Sequence, residues 1–326
     1  MEIDSDSNRI KLNAVQCQQV LDDALMKFSH YQGSLMWRCI SGTDYLIHQV
    51  RRRQKSLGAR SEETEAVYDG FNRRKVKIAE RVTSLKSNLQ RQARLCKAVH
   101  LNRVPKIVAD ISRKIAEFPV LSKKTLIVGT NALYAYEAAA AVFFESSIVA
   151  TQDVDVLWDP RHKISIASTE PSGFIGLLKS VDSSFEVMSH SPFRASNQQG
   201  FMVDLLQPTR KNMMLSSDAS MSDFPDDLVA VEIKGLEWLV SCPKFAAWGI
   251  DDQGYPVKMI VPDPRAFVLH KFWLSNREDR YPDKKQRDLE QSLAVFDLIK
   301  EKLSYLEFND SALQAMPLEL RSKMDF

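Results

Sequence analysis

The chain is expected to be an α+β protein: a small mixed β-sheet flanked by helices, with a mainly helical region before the sheet and a helical region after it. Three observations carry this expectation. Short apolar stretches with strand character, such as "TLIVG" and "DVDVLWD", concentrate between residues 119 and 262. Long stretches with apolar residues at helical spacing lie on either side. Strands and helices also intermix within the central segment, which argues for a sheet with helices packed on it. The expected organisation is therefore 1–118, basic and mainly helical with one β-hairpin; 119–262, the core; and 263–326, helices packing on that core.

The elements follow in order. From about Leu12 to His30 apolar positions recur at helical spacing. "SLMWRCISGTDYLIHQV" alternates around Ser41-Gly42, a hairpin signal. From about Ser61 to Leu101 the chain is charged and free of Gly and Pro except at Gly70, which predicts one long helix or two shorter ones. "RVPKIVADISRKIAEF" is amphipathic, with Pro105 near its start. Beyond Phe118 come a strand at "TLIVG", a helix over Asn131–Ala141 and a strand at "DVDVLWD". Further strands are expected at "KISIAS", "FEVMS" and "GFMVDLL", with a helix around Phe174–Val181. From Pro264 the chain returns to helix in "PRAFVLHKFWLSN" and "KKQRDLEQSLAVFDLIKEKL".

Composition bounds the function. With 326 residues, 44% hydrophobic and 26% charged, the chain has globular proportions. No apolar run reaches the roughly 18 residues of a membrane span, so no membrane association is expected. The polar, acidic "MEIDSDSNRIKL" is unlike a secretory signal. Cys17, Cys39, Cys96 and Cys242 are scattered without a CxxC pair, as reduced thiols of a cytoplasmic protein would be. Residues 1–120 carry 22 Lys/Arg against 13 Asp/Glu, whereas the rest carries 22 against 29. A basic half suits either a polyanion such as RNA or a solvated helical face.

The chemistry centres on residues 127–159. Gly129-Thr130 follows a strand and opens a helix, a turn that suits close approach to phosphate at the helix start and that also serves as a plain connection. Asp153 and Asp155 flank Val154 in an apolar strand, so both carboxylates leave one face. Side by side they repel unless a cation lies between them, and Mg²⁺ takes such carboxylates together with substrate phosphates. Asp204, between Val203 and Leu205, is a third acid in an apolar strand, costly unless exposed or paired. His30, His48, His100, His162 and His190 show no metal-ligand spacing, and His270 reads as packed or capping.

"GTNALYAYE", a gap of about twenty residues, "TQDVDVLWD" and then "GFMVDLL" resemble the nucleotidyltransferase superfamily of DNA polymerase β type. The gap, and Thr151 just ahead of the two aspartates, are closer to the abortive-infection toxin branch. The chain with its N-terminal helices is similar to a set of bacterial nucleotidyltransferase-fold proteins. The resemblance implies that Gly129, Thr130 and Asn131 contact nucleotide phosphates. It implies that Asp153 and Asp155 bind Mg²⁺ or Mn²⁺, and that Asp204 binds the catalytic metal and helps deprotonate an acceptor hydroxyl. It also implies an NTP donor, ATP among the candidates, release of pyrophosphate, and an acceptor hydroxyl on RNA such as a tRNA 3′ end, on a protein or on a small molecule.

Lys271 sits in an otherwise apolar helix, where an ammonium needs an anionic partner. Lys284 and Asp288 stand four apart, a salt-bridge spacing. Toxin-branch members carry a similar Lys and Asp in a helix after the core, which implies Lys271, Lys284 and Asp288 near the triphosphate. The other readings are a catalytically inactive nucleotide-binding module on the same fold and an interaction protein working through its helical half.

Overall fold

The structure, a computed structural model, describes residues 1–160, 173–209, 221–222, 224–309 and 311–322. The chain divides into two compact units. One comprises Arg9–Leu101 with Gln253–Pro256. It holds most of helix α1 (Ser5–Ser29), strands β1 (Ser34–Ile40), β2 (Thr43–Val50) and β3 (Arg53–Ala59), and helix α2 (Glu62–Ala98). Ser41 and Gly42 both take positive φ, 49° and 80°, as a tight two-residue hairpin turn requires. The expected hairpin is in fact a three-stranded antiparallel meander. Its third strand escaped the sequence reading because β3 is exposed along almost its whole length. A solvated edge strand needs no apolar alternation and tolerates charges.

Helix α2 runs unbroken for 37 residues through Gly70 and starts at a capping box between Ser61 and Thr64. Val82 and Leu89 of α2 pack with Cys17, Leu21 and Ala24 of α1. Only four residues of α2 are buried, so most of its surface is left for charge. Residues 9–101 carry 18 Lys/Arg against eight Asp/Glu.

The second unit comprises Met1–Asn8, Asn102–Asp252 and Val257–Phe326. It begins with α3 (Lys106–Glu117), α4 (Pro119–Lys124) and β4 (Thr125–Val128). A 3₁₀ turn (Gly129–Ala132) leads into α5 (Leu133–Ala140), then α6 (Ser146–Val149) and β5 (Asp153–Trp158). Next come α7 (Gly173–Val181), β6 (Glu186–Met188), β7 (Ser191–Ser196), β8 (Met202–Pro208) and β9 (Val231–Ile233). The chain continues through α8 (Leu236–Ser241), β10 (Lys244–Ile250), β11 (Pro256–Pro262), α9 (Pro264–Ser275), α10 (Pro282–Lys302) and α11 (Leu318–Ser322). The strand expected at Lys163–Ser168, and His162 beside it, lie outside the described residues.

The main sheet is mixed, in the order β4-β5-β8-β7-β6, with β9 joining the far end of β8. Neighbours β5 and β8 are parallel, whereas β4 and β7 run antiparallel to them. Val154 and Val156 of β5 are fully buried, and Asp153 and Asp155 alternate with them on the other face. Helix α5 is buried on all sides over its first turn, Leu133 to Glu137, and again at Ala140, and the Tyr136 hydroxyl donates to Pro262 O at 2.9 Å. The molecule is an α+β protein with helices around a small mixed sheet, as expected from the sequence.

Candidate active site

Sheet register assembles the site. Val128 of β4 stands opposite Asp155 of β5, Asp155 opposite Asp204 of β8, and Asp204 opposite Arg194 of β7. Paired residues on neighbouring strands share a face, so this row crosses four strands on one side of the sheet. Asp153, two residues before Asp155, projects from the same side. The three aspartates are thereby brought to one face from positions 153, 155 and 204.

At the end of β4 the chain turns through Gly129, whose φ is +66°. An ideal β-carbon there would stand 2.4 Å from Asp155 Oδ2. Both the backbone and the carboxylate therefore demand glycine. The next two residues fasten the turn. Asn131 is buried, and its Nδ2 donates to the backbone O of Asp153 at 2.7 Å. Its Oδ1 has no hydrogen-bond partner among the described residues. The Thr130 hydroxyl accepts from Gln291 Nε2 of α10 at 3.1 Å.

The carboxylates differ in what they touch. Asp153 Oδ1 accepts from the Thr151 hydroxyl. Asp204 is gripped on both oxygens by Arg194, whose Nε and Nη2 each lie 2.6 Å away. Asp155 is half-buried and accepts no hydrogen bond from a described residue. Burial, then the charges of Asp153 and Asp204, push its carboxyl up to about 7, with Lys271 and Arg194 pulling the other way.

Among the described residues no three His, Cys, Asp or Glu side chains are gathered as a ready metal-binding group. The third carboxylate, Asp204, is paired with a cation the chain supplies itself, Arg194. The donors still fit a hard divalent ion. They are carboxylate oxygens on one face, and Asp155 faces the like charges of Asp153 and Asp204 with no hydrogen bond from a described residue to offset them.

On the C-terminal helices the expected Lys284–Asp288 pair does not form. Lys284 is exposed in the first turn of α10 and has no ion-pair partner among the described residues. Asp288 is 2% exposed and instead meets Lys271 Nζ of α9 at 2.7 Å and Arg280 Nη2 at 2.7 Å. A carboxylate withdrawn from water takes partners that are withdrawn with it. Burial lowers the pKa of the Lys271 ammonium, and Asp288 opposes the shift. Arg277 pairs with Asp279 at 2.8 Å and lies over the Trp273 ring. His270 is packed edge-on to Trp238, its Nε2 without a hydrogen-bond partner among the described residues, and burial drives its pKa down to about 3.

Arg194, Arg280 and Gln291 were not legible as site residues in the sequence. Arg194 lies in the short, mostly polar "SPFRAS", and only its register against Asp204 marks it. Gln291 carries one weak signal, an uncharged polar residue three positions after Asp288 on the same helical face.

A family model described as Nucleotidyltransferase matches residues 106–317. The matched span runs from the start of α3 to just before α11 and leaves out the basic unit's α1, β1–β3 and α2. Comparisons with curated proteins and with solved structures return no match.

Proposed function

The chain belongs to the nucleotidyltransferase family, and from that premise we propose a metal-dependent transfer of the DNA polymerase β type. A nucleoside monophosphate would pass from an NTP to an acceptor hydroxyl. The bond from the acceptor oxygen to the α-phosphorus forms as the bond to pyrophosphate breaks. The observation that carries this reading is Asp155 set opposite Asp204, with Gly129 pressed against Asp155.

Asp153 and Asp155 would hold Mg²⁺ or Mn²⁺, and Asp204 would join them. A divalent ion bound there offsets phosphate charge and acidifies the acceptor hydroxyl. The chain's own groups do the rest. The Gly129–Thr130 turn, with Asn131 anchoring it to β5, presents N–H and O–H donors to phosphate. Asp204 would receive the acceptor proton once Arg194 turns from it to the phosphate. Arg194 and Lys271 offset the charge that develops at the α-phosphate, and Lys284 reaches the triphosphate from solvent.

The proposed acceptor is RNA docked on the basic unit, where Arg51, Arg52, Arg53 and Lys55 are all exposed on and beside the β2–β3 turn. The spacing of the turn from the two aspartates, with Thr151 ahead of them, supports a proposed kinship with the abortive-infection toxin type. The four free cysteines and the absence, among the described residues, of a helix fit to cross a membrane accord with a cytoplasmic setting. One observation favours a second reading: the double grip of Arg194 on Asp204 also suits a non-catalytic nucleotide-binding module.

The test is incubation with each α-labelled NTP, Mg²⁺ or Mn²⁺, RNA and lysate, comparing wild type with Asp153→Asn. Label transferred by wild type alone supports the enzyme and identifies its acceptor class. Nucleotide binding without transfer under any condition supports the module.

A further inference from the structure

We infer that Gln291 sets the direction of the Thr130 hydroxyl, holding its proton ready for a phosphate oxygen. The inference rests on the reading of the Gly129–Thr130 turn as the phosphate seat. Gln291 lies on α10 and is fully buried. Its Nε2 donates to Ile148 O at 2.8 Å and to Thr130 Oγ1 at 3.1 Å. A peptide carbonyl only accepts, so the group facing Ile148 has to be the amide NH₂. That partner settles the orientation of the amide, which geometry alone would leave open. The same NH₂ reaches Thr130 and can only donate, so the threonine oxygen is the acceptor there.

A hydroxyl has one proton and two lone pairs. With a lone pair spent on Gln291, the proton points elsewhere, and no described residue receives it. Thr130 is only half-buried, so that direction stays open to a ligand. Phosphate oxygens at neutral pH are acceptors, and a threonine whose proton was spent inward would face them with lone pairs alone. Gln291 rules out that arrangement. Its own Oε1 is buried without a hydrogen-bond partner among the described residues, an unfavourable state that a side chain present for packing alone would avoid.

The same helical turn serves the carboxylates. Asp288, three residues earlier on α10, holds Lys271, whose charge acts on Asp155. One turn of α10 thus governs the donor at the phosphate turn and a cation beside the acidic row. Gln291 is a positioning residue: it acts through Thr130.

The test uses the full chain and inorganic tripolyphosphate with Mg²⁺, which reads the phosphate seat without a nucleobase. Calorimetric Kd values are compared for wild type, Gln291→Glu, Gln291→Leu, Thr130→Val and the Gln291→Leu/Thr130→Val double variant, with melting temperatures recorded alongside. In Gln291→Glu a carboxylate that only accepts takes the threonine proton, and Kd should rise about tenfold or more. Thr130→Val should weaken binding similarly, and adding Gln291→Leu to it should cost nothing further. If the glutamate variant does not fold, the leucine variant and the cycle decide. Wild-type affinity in both Gln291 variants, or losses that simply add in the double variant, overturns the inference while leaving the phosphate seat standing. A wild-type chain that binds no tripolyphosphate overturns the seat and the inference together.

Discussion

The Oδ2 atom of Asp155 lies 2.4 Å from where a β-carbon on Gly129 would stand. The turn that follows β4 and the central carboxylate of β5 are therefore built against each other, and neither moves without the other. Gly129→Ala meets two penalties, a positive φ and a collision with a carboxylate in a crowded row. It should destabilise the protein by about 1–3 kcal/mol and remove nucleotidyl transfer. Urea unfolding and the labelled-NTP assay would show both, and an alanine variant that is stable and active would contradict this account of the turn.

Asp155→Asn should separate stability from function. The native carboxylate faces Asp153 and Asp204 without a hydrogen bond from a described residue, so neutralising it relieves repulsion. The metal-free variant should melt a few degrees above wild type. Mg²⁺ should raise the melting temperature of wild type and leave the variant unmoved. Differential scanning calorimetry with and without the ion decides this, and equal shifts in both proteins would remove Asp155 from the ion site.

The two acid–base neighbours on α10 should behave in opposite ways. Asp288→Asn leaves Lys271 buried beside a neutral amide and should cost about 3–5 kcal/mol. Lys284→Ala, at an exposed position, should stay within about 0.5 kcal/mol of wild type while raising KM for the NTP severalfold. Denaturant curves and steady-state kinetics on the two variants test this. Unchanged KM in Lys284→Ala would remove that lysine from the triphosphate.

His270 should make the fold acid-sensitive. Its pKa is about 3 in the folded chain, against an ordinary 6.5, because burial disfavours the imidazolium. Lys271, Arg280 and Arg277 reinforce that shift and Asp288 opposes it. The unfolded chain thus binds more protons between these values. Stability from this group is complete above pH 6.5 and is lost as pH falls through the window towards 3. The loss should reach a few kcal/mol. Melting temperatures from pH 7.5 down to 4.5 should fall less steeply in His270→Leu than in wild type, and parallel curves would acquit the histidine.

Much of the core could be read from local pattern. Strand periodicity placed β4, β5 and β8, and the alternation of Asp153 and Asp155 with buried valines identified a shared acidic face. The exposed strand β3 was missed because its charges carry no apolar signal. The Lys284–Asp288 spacing allows a pair that does not form, because helical spacing states which residues can meet and is silent on which are withdrawn from water. Asp288 is withdrawn and Lys284 is not.

Three things followed from the sequence alone. The α+β class and the three aspartates belong to it because strand and helix periods are local properties of side-chain chemistry. So does the Gly-Thr turn ahead of a helix. Tertiary structure decided which groups those aspartates face. Arg194 reaches Asp204 only because β7 lies beside β8 in that register, and Gln291 reaches Thr130 across 161 positions because α10 packs against the turn. Register and helix docking are set by the burial of the whole core, which no short window of sequence contains.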